Sequence, residues 1–232
     1  MKKPPTFTDK AELQGPGLVR AVGRAFQILS AFQAEQQTLT LSEAARAINL
    51  PVSTASRLLA TLEAQNLVRR LPDGRYTLGG AMLRIGAVAL HGVDLYDLSQ
   101  THLERLAEAT GETANLGLPH GDDEVLYVRQ VLSRHSVRHA AWIGRSVPVG
   151  RTAIGAAVKG RVGPQGYCLT RTTLEPDVTA LAAPIFNADG HIVGALSVTG
   201  PSYRMDDAAV DTAASTLLHE AAAMSLHLGA TR

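Results

Sequence analysis

The chain has 232 residues, with 22 Lys and Arg against 21 Asp and Glu, and a formal net charge of +1. Hydrophobic residues make up 45% of it and aromatic residues 4%, which excludes a wholly disordered or fibrous protein. A single Cys excludes an intramolecular disulfide and is typical of a reducing compartment. No signal-peptide pattern or membrane-spanning apolar run is present, so we expect a cytoplasmic protein with no membrane partner.

The near-neutral total hides an uneven distribution of charge. Residues 1–80 contain ten Lys or Arg and six Asp or Glu, a net charge of +4, so residues 81–232 carry −3. This asymmetry indicates two modules with different partners, although a segment of +4 also arises by chance.

The N-terminal module begins with a helix. We interpret residues 1–17 as a flexible tail and residues 18–79 as one small domain. Helical spacing within residues 18–32 predicts a first helix, whose apolar face contains Val22, Phe26 and Leu29.

Two further helices follow in the same domain. Thr40 and Glu43 have the spacing of a capping box, in which each side chain bonds the other residue's backbone N–H at a helix start. The second helix is short because Asn49 and Pro51 follow it, and we expect Ser53 to cap the third.

The third helix has one apolar and one polar face. Its predicted buried stripe consists of Ala55, Leu58, Leu59 and Leu62. The opposite face carries Thr54, Arg57 and Thr61, and Asn66 closes the helix at a position that favours a left-handed residue.

A basic hairpin completes the module. The segments LVRRL and RYTL read as two short strands joined by the turn 72–74, and they carry Arg69, Arg70 and Arg75. Three helices followed by such a hairpin form a winged helix-turn-helix.

This arrangement suits DNA. Small hydroxyls and one arginine, Arg57, on the third helix can approach base edges and phosphates in the major groove, where arginine pairs bidentately with guanine. Ser53 lies where helix N–H groups favour a phosphate, and the wing arginines reach the flanking backbone. The alternative is a three-helix module for protein contacts, with these arginines solvated and Ser53 only a cap.

Residues 80–93 form a strongly apolar linker helix, with Met82, Ile85 and Ala89 on one side. Such a helix needs a cover, either its own second domain or another copy of the chain. We favour a dimer, because two DNA-reading helices match two half-sites of an operator.

Residues 94–232 read as an α+β domain. An amphipathic helix over 95–110 precedes several strand patterns, and a long Ala- and Leu-rich helix over 206–228 ends the chain. We expect a third strand within 136–143. Alternation in the preceding strand predicts one shared face for Val125, Tyr127, Arg129 and Val131.

Small residues follow a predicted strand at Gly150 to Gly155. Thr152 suits a helix N-cap, and Ala153 and Gly155 follow it. Free N–H groups at such a helix start attract an anion such as a small carboxylate. Alternatively, the small residues only allow the helix to pack closely on the sheet.

Catalytic and metal-binding patterns are absent from the sequence. It contains no P-loop, dinucleotide fingerprint, HExxH or G-x-S-x-G motif, so we expect no enzyme and no cofactor. His135 and His139 are four apart without clustered acids or cysteines, which disfavours zinc. Cys168 reads as a small apolar residue rather than a redox sensor.

Several motifs in order resemble the IclR family of transcriptional regulators. They are RAFQILSAF, TLSEAARAINLPVSTASRLLATLEAQNLVRR, GRYTLGG, GRSVPVGRTAIGAA and LAAPIFNADGHIVGALSVTGPSYRM. The resemblance implies a winged helix-turn-helix, a linker and a GAF-like effector domain with an antiparallel sheet and flanking helices. It also implies a cytoplasmic dimer or tetramer, commonly a repressor, that binds operator DNA and a small organic or aromatic acid.

The resemblance also assigns residues to the two sites. It places the DNA-reading helix on Ser53, Thr54, Ser56 and Arg57; from the residues alone we add Thr61, Arg69, Arg70 and Arg75. It places an effector cavity between Gly150–Gly155 and the strand that bears Ser197 and Thr199. The effector-site candidates are Arg138, Trp142, Gly150, Arg151, Thr152, Ala153, Ser197 and Thr199.

Two departures from the family concern the cavity. Ala180 stands where some relatives have a cysteine, and only KGRVGPQ separates the small-residue helix from Gly166-Tyr167, so one cavity wall is shortened. We interpret the chain as a ligand-responsive regulator, a repressor of a catabolic operon. The alternative is a GAF-like small-molecule-binding or enzymatic domain whose helical module only mediates assembly.

Overall fold

The computed structural model describes residues 19–91 and 94–230, except for the side chains of residues 90 and 91. The described residues form two compact units, with the division between residues 92 and 93. Within the described ranges, no helix is both long and apolar enough to cross a membrane.

The first unit consists of helices and one hairpin. In chain order its described elements are α1 (Arg20–Leu29), α2 (Leu41–Ile48), α3 (Val52–Ala64), β1 (Val68–Arg70), β2 (Tyr76–Leu78) and α4 (Gly80–His91). Strands β1 and β2 pair antiparallel, with Arg69 opposite Thr77. Side chains of α1, α2, α3 and the hairpin form one apolar core, which includes Ile28, Leu59 and Val68.

The capping box of α2 is confirmed. The Thr40 backbone N–H donates to Glu43 Oε2 at 2.7 Å, and the Glu43 N–H donates to Thr40 Oγ1 at 3.2 Å. The Thr40 N–H and the Thr40 hydroxyl both donate to the Glu43 carboxylate, and these two hydrogen bonds lower the pKa of that carboxyl. Helix α2 ends at Asn49, which adopts the left-handed conformation at φ 51°.

The expected N-cap of α3 is wrong. The cap is Pro51, whose carbonyl accepts hydrogen bonds from the Thr54 and Ala55 N–H groups, so Ser53 lies inside the first turn. Proline suits this position because its fixed φ matches the helix entrance and it has no N–H to satisfy.

Asn66 joins α3 to the start of α4. It has the expected left-handed conformation, at φ 55°. Its carbonyl oxygen accepts from the Ala81 N–H at 3.0 Å, and its Oδ1 accepts from the Gly80 N–H at 3.3 Å. A Cβ on Gly79 would lie 2.2 Å from the Asn66 carbonyl oxygen, so only glycine fits at this junction.

Of the predicted apolar face of α1, only Leu29 packs against the core. Val22 and Phe26 are 66% and 61% exposed, whereas Ile28 is fully buried and Ala25 and Leu29 pack beside it. Helix α1 has apolar residues on more than one side, and periodicity alone does not tell which side meets the core.

The second unit is an antiparallel sheet with helices on both faces. Its described elements are α5 (Asp94–Thr110), β3 (Thr113–His120), β4 (Glu124–Val131), β5 (Ser146–Pro148), α6 (Ala153–Val158), β6 (Cys168–Arg171), β7 (Val178–Phe186), β8 (Ile192–Pro201) and α7 (Asp207–His227). The strand order is β5-β4-β3-β8-β7-β6, and every pair is antiparallel.

Alternation along the central strands supplies two separate cores. Leu181 and Leu196 point towards α5 and α7, while their neighbours Ala182 and Ala195 point towards α6. A short 3-10 turn, Val149–Arg151, leads from β5 into α6. The face that carries α6 also carries the site described below.

The expected strand within 136–143 is wrong. Those residues form a loop, and the edge strand comes later as β5. A side chain replaces a strand partner here, since Gln130 Oε1 accepts from the Trp142 N–H at 3.1 Å and Gln130 Nε2 donates to the Ala140 carbonyl at 3.3 Å.

The expected single face of β4 is also wrong. The pairing with β3 shifts by one residue, with Leu116 opposite Arg129 but Gly117 opposite Tyr127, so β4 has a bulge. Val125 and Tyr127 belong to the α6 core, whereas Val131 packs against the α5 and α7 core. A bulge depends on the partner strand and leaves no mark on local alternation.

Candidate functional site

The side of α3 turned away from its core carries small hydroxyls and one arginine. Ser53, Ser56, Arg57 and Thr61 are exposed, and Thr54 is half-buried. The Thr61 hydroxyl donates to the Arg57 carbonyl oxygen at 3.0 Å. Small groups around one long guanidinium leave space for a base edge, so this surface fits a DNA major groove.

The three wing arginines differ in their surroundings. Arg69 and Arg70 are exposed on β1. Arg75 forms an ion pair with Asp73, from its Nε to Asp73 Oδ2 at 2.8 Å, and donates to Thr38 Oγ1 at 3.1 Å. The hydrogen bonds from Arg75 lower the pKa of the Asp73 carboxyl. Arg75 therefore stabilises the hairpin, whereas Arg69 and Arg70 are better placed to contact DNA phosphates.

A cavity lies on the α6 face of the second unit. Six of the eight predicted effector-site residues line it: Trp142, Arg151, Thr152, Ala153, Ser197 and Thr199. Gly150 lines an adjoining depression instead. Arg138 lines neither; it is exposed and donates to the His135 carbonyl oxygen at 3.2 Å.

The floor of the cavity is a buried polar network. Asn115 Nδ2 donates to Ser197 Oγ at 3.2 Å and to Thr199 Oγ1 at 3.4 Å, and Gln130 Nε2 donates to Asn115 Oδ1 at 2.6 Å. Both β8 hydroxyls therefore accept from Asn115, and Ser197 also hydrogen-bonds the Tyr127 phenol. Burial raises the pKa of Tyr127 far above its usual range, against the opposing effect of a hydrogen bond with Ser197, so the phenol stays neutral.

The start of α6 forms another wall, and its geometry favours the packing interpretation of its small residues. Thr152 Oγ1 accepts from the Gly155 N–H and donates to the Pro148 carbonyl, so both of its roles are filled within the protein. A Cβ on Gly155 would lie 2.4 Å from the Cα of Val149. Glycine is therefore needed here for close approach of the 3-10 turn.

Several residues that line the cavity were not predicted for it, among them Tyr127, His139 and Glu175. His139 is buried against the Trp142 ring, with ring centroids 4.5 Å apart, and its Nε2 lies 3.5 Å from Glu175 Oε2. In the described part of the chain, His139 Nδ1 has no hydrogen-bond partner. A buried nitrogen without a partner is costly, so this wall offers a polar atom that a bound water or a ligand group would satisfy.

The loop between β6 and β7 covers the cavity. Arg151 Nη2 donates to the Thr173 carbonyl at 3.0 Å, and Thr173 Oγ1 donates to the Arg151 carbonyl at 2.9 Å. Glu175 on the same loop meets His139. Two contacts thus fasten this loop over the cavity.

The inner cavity is small and opens outwards. Its volume is about 30 Å³, and it continues into a depression of about 390 Å³ that shares Arg151, Thr152, Thr170 and Thr173 with it. Arg161, from the shortened segment 159–165, lines only the depression. A ligand the size of an aromatic acid therefore extends into the depression or moves the walls apart.

No metal centre is evident in the part of the chain that the structure describes, where no three His, Cys, Asp or Glu residues are grouped to hold an ion. His139 is buried beside Trp142, and His135 is exposed. Cys168 is half-buried, and burial raises the pKa of its thiol, as expected for a packing residue.

The two units together define a helix-turn-helix protein with a separate ligand cavity. The sequence matches the IclR helix-turn-helix domain over residues 21–72. It matches the bacterial transcriptional regulator IclR C-terminal domain over residues 87–159 and 160–226. The chain therefore belongs to the IclR family of bacterial transcriptional regulators, which confirms the resemblance and the α+β fold class.

Relatives match along nearly the whole chain. The glycerol operon regulatory protein of Streptomyces griseus is 30% identical, over 92% of this chain and 98% of its own. The transcriptional repressor IclR of Escherichia coli is 25% identical, over 93% and 92%. The crystal structure of an IclR homologue from Microbacterium hydrocarbonoxydans complexed with 4-hydroxybenzoate has a TM-score of 0.70 and 23% identity, over 90% and 98%.

Proposed function

We propose that this regulator is a repressor of a catabolic operon, and that a small organic or aromatic acid bound in the second unit changes its affinity for operator DNA. Residues 18–79 would bind DNA, residues 80–93 would link the units, residues 94–232 would bind the effector, and residues 1–17 would be a tail. The protein would be cytoplasmic, non-enzymatic and without a cofactor.

The DNA-binding part of the proposal is supported by the exposed polar face of α3. It presents Ser53, Ser56, Arg57 and Thr61 to solvent on one side of a helix whose other side is fully committed to the core. Arg69 and Arg70 on the adjacent hairpin add positive charge for flanking phosphates. The relatives' names as regulators and repressors favour this function over an assembly-only module.

The effector-binding part of the proposal is supported by the buried hydroxyls of β8. Ser197 and Thr199 accept hydrogen bonds from Asn115, and the same cavity is lined by His139, whose Nδ1 has no hydrogen-bond partner among the described residues. A homologue of this fold binds 4-hydroxybenzoate, which has both an acid and a hydroxyl. A small hydroxylated acid would satisfy these groups.

Exposed apolar side chains support self-association as a dimer or tetramer. Val22 and Phe26 on α1 and Leu83 and Val88 on α4 are between 61% and 77% exposed in the single chain. Burial of such residues is worth about 25 cal/mol per Å², so a second copy would stabilise both helices. Two copies would also present two α3 helices to a two-fold symmetric operator.

The DNA-binding half is tested by titrating DNA from upstream of the regulator's own gene with the purified protein in a fluorescence anisotropy assay. Affinity should fall steeply as salt rises, since phosphate contacts release counterions. Arg57→Ala should weaken binding by about 5- to 150-fold, the range for loss of a bidentate arginine–base contact.

The matched control is Arg134→Ala, which removes the same charge from an exposed position in the second unit. It should leave DNA affinity nearly unchanged. Salt-insensitive binding, or an equal loss in the two variants, would overturn a reading role for α3 and favour the assembly-only alternative.

A further inference from the structure

The residue that ends α3 also holds the start of α4. Asn66 follows the last turn of α3 in the left-handed conformation. Its carbonyl oxygen accepts from the Ala81 N–H at 3.0 Å, and its side-chain Oδ1 accepts from the Gly80 N–H at 3.3 Å. These N–H groups belong to the first turn of α4, where a helix offers them no partner of its own. Asn66 therefore caps one helix from the end of another.

The neighbouring backbone is fastened at the same point. The Leu67 N–H donates to the Leu62 carbonyl of α3 at 2.9 Å, and the Leu67 carbonyl accepts from the Gly79 N–H at 2.9 Å. Gly79 does not have a positive φ, so its backbone conformation is open to other residues. A Cβ there would nevertheless lie 2.2 Å from the Asn66 carbonyl oxygen and 2.9 Å from Asn66 Oδ1. Close contact with Asn66 is what requires glycine.

Beyond its first turn, α4 has little support from the first unit. Leu83, Ile85 and Val88 are exposed. None of the described side chains of α4 belongs to the apolar core that α1, α2, α3 and the hairpin share. Within the described residues, the direction of α4 relative to α3 is therefore set where Asn66 meets Gly79 and the first turn of α4.

This joint lies between the DNA-reading helix and the rest of the chain. Helix α4 is the segment that leads from the first unit towards the second. A displacement of its start reaches α3 first through Asn66. Glycine also adopts the left-handed conformation at the end of a helix, but only asparagine adds a side-chain acceptor for the next helix.

We propose that Asn66 is a positioning residue for operator recognition. Its bonds to Gly80 and Ala81 fix the angle between α3 and α4, and this angle sets the spacing of the two half-sites that a dimer reads. Asn66 acts in this way without touching DNA. The inference rests on the proposed function and adds the residue through which the linker helix directs α3.

The test measures affinity as a function of half-site spacing. Full-length protein is titrated by fluorescence anisotropy into three DNAs: the operator footprinted upstream of its own gene, the same DNA lengthened by one or two base pairs between the half-sites, and a single half-site. Each inserted base pair turns one half-site by about 35°. The unsubstituted protein should lose about tenfold or more in affinity on insertion, because a rigid joint prevents both half-sites from being bound together.

Two variants loosen or displace the joint. Asn66→Gly keeps the left-handed backbone and removes Oδ1. Its operator affinity should fall about threefold or more, since one bond that fixes the angle is lost. Gly79→Ala forces the start of α4 away from Asn66 and should reduce operator affinity about tenfold or more. In both variants the loss on insertion should shrink or move to another spacing, and affinity for the single half-site should be unchanged.

Two controls match these changes. Gln65→Ala removes an amide from the adjacent exposed position. Gly86→Ala repeats the glycine-to-alanine change on α4, at a site where a Cβ meets nothing within 4 Å. Both should keep the operator affinity and the spacing preference of the unsubstituted protein. Circular dichroism in urea shows whether each variant keeps its fold.

Equal losses on the operator and on the single half-site would show that Asn66 contacts DNA or supports α3 itself, and would overturn the positioning role. An unchanged loss on insertion in both variants would also overturn it. If the unsubstituted protein binds its operator but does not distinguish the spacings, the joint is overturned and DNA binding stands. If it does not bind the upstream DNA, the proposed function fails, and this inference fails with it.

Discussion

The hydroxyl groups of the two units have opposite surroundings. Ser53 and Ser56 on α3 are exposed, so their hydroxyls can contact a molecule that binds to this surface. Ser197 and Thr199 on β8 are 1% and 4% exposed, and Asn115 on the neighbouring strand fixes them. Hydroxyl side chains thus lie on an exposed helix surface in one unit and in a buried cavity wall in the other.

This difference has an energetic consequence. An exposed hydroxyl already bonds water, so removing it costs the fold little. A buried polar group that loses its partner pays the full cost of its desolvation. Substitutions of polar residues should therefore reduce stability in the second unit, whereas in the first they should reduce mainly DNA affinity.

The largest effect is expected at Glu112, a buried carboxylate of the second unit. Arg204 holds it with two hydrogen bonds, Nε to Oε1 at 2.5 Å and Nη2 to Oε2 at 2.9 Å, and also donates to the Val137 carbonyl. Glu112→Gln leaves the guanidinium without its counter-charge. We expect a loss of about 3 kcal/mol in the free energy of unfolding, measured by urea denaturation with Trp142 fluorescence. A loss below 1 kcal/mol would contradict the contrast between the units.

A smaller loss is expected at Asn115. Asn115→Leu keeps the volume but removes the donor to Ser197 and Thr199 and the acceptor for Gln130. We expect about 2 kcal/mol of destabilisation by the same measurement, because several buried groups lose a partner at once. Thr212→Val, at an exposed hydroxyl on α7 in the same unit, is the control and should stay within about 0.5 kcal/mol. Equal effects of the two variants would show that burial is not the deciding property.

Local patterns predicted most of the first unit. The capping residues Thr40 and Glu43, the buried stripe through Leu59, and the turn at Gly74 each depend on residues a few positions apart. There are two exceptions: Pro51 rather than Ser53 caps α3, and in α1 Phe26 and Ile28 are both apolar but tertiary packing buries Ile28.

The cavity could be predicted only in part, because it depends on long-range pairing. Ser197 and Thr199 came from the family resemblance, but their partner Asn115 lies 82 and 84 residues away in sequence. The bulge in β4 and the bonds from Gln130 to the following loop decide where Tyr127 and His139 lie. Arg161 could have been noticed from the sequence, because it lies within residues 125–174, which contain eight Lys or Arg and no Asp or Glu.

A still smaller effect is expected at the α2 cap of the first unit. Thr40→Ala removes the acceptor for the Glu43 N–H and should cost about 1 kcal/mol, measured by circular dichroism in urea. Because folding lowers the pKa of Glu43, its contribution is complete at neutral pH and is lost as the pH falls through that lowered value. The variant should therefore show a weaker loss of stability on acidification. If the variant and the parent protein lose the same stability as the pH falls, the coupling between Thr40 and Glu43 is contradicted.

The smallest effect on stability, and the sharpest test of the comparison, is expected on the α3 surface. Ser53→Ala and Ser56→Ala replace exposed hydroxyls within a helix, where alanine has the higher propensity, so stability should change by less than about 0.5 kcal/mol. DNA affinity should nevertheless fall severalfold, since a hydroxyl near a base or phosphate is lost. Anisotropy titrations beside urea denaturation separate the two quantities. If these variants lose stability but keep operator affinity, the α3 hydroxyls belong to the fold, and the contrast with Ser197 and Thr199 disappears.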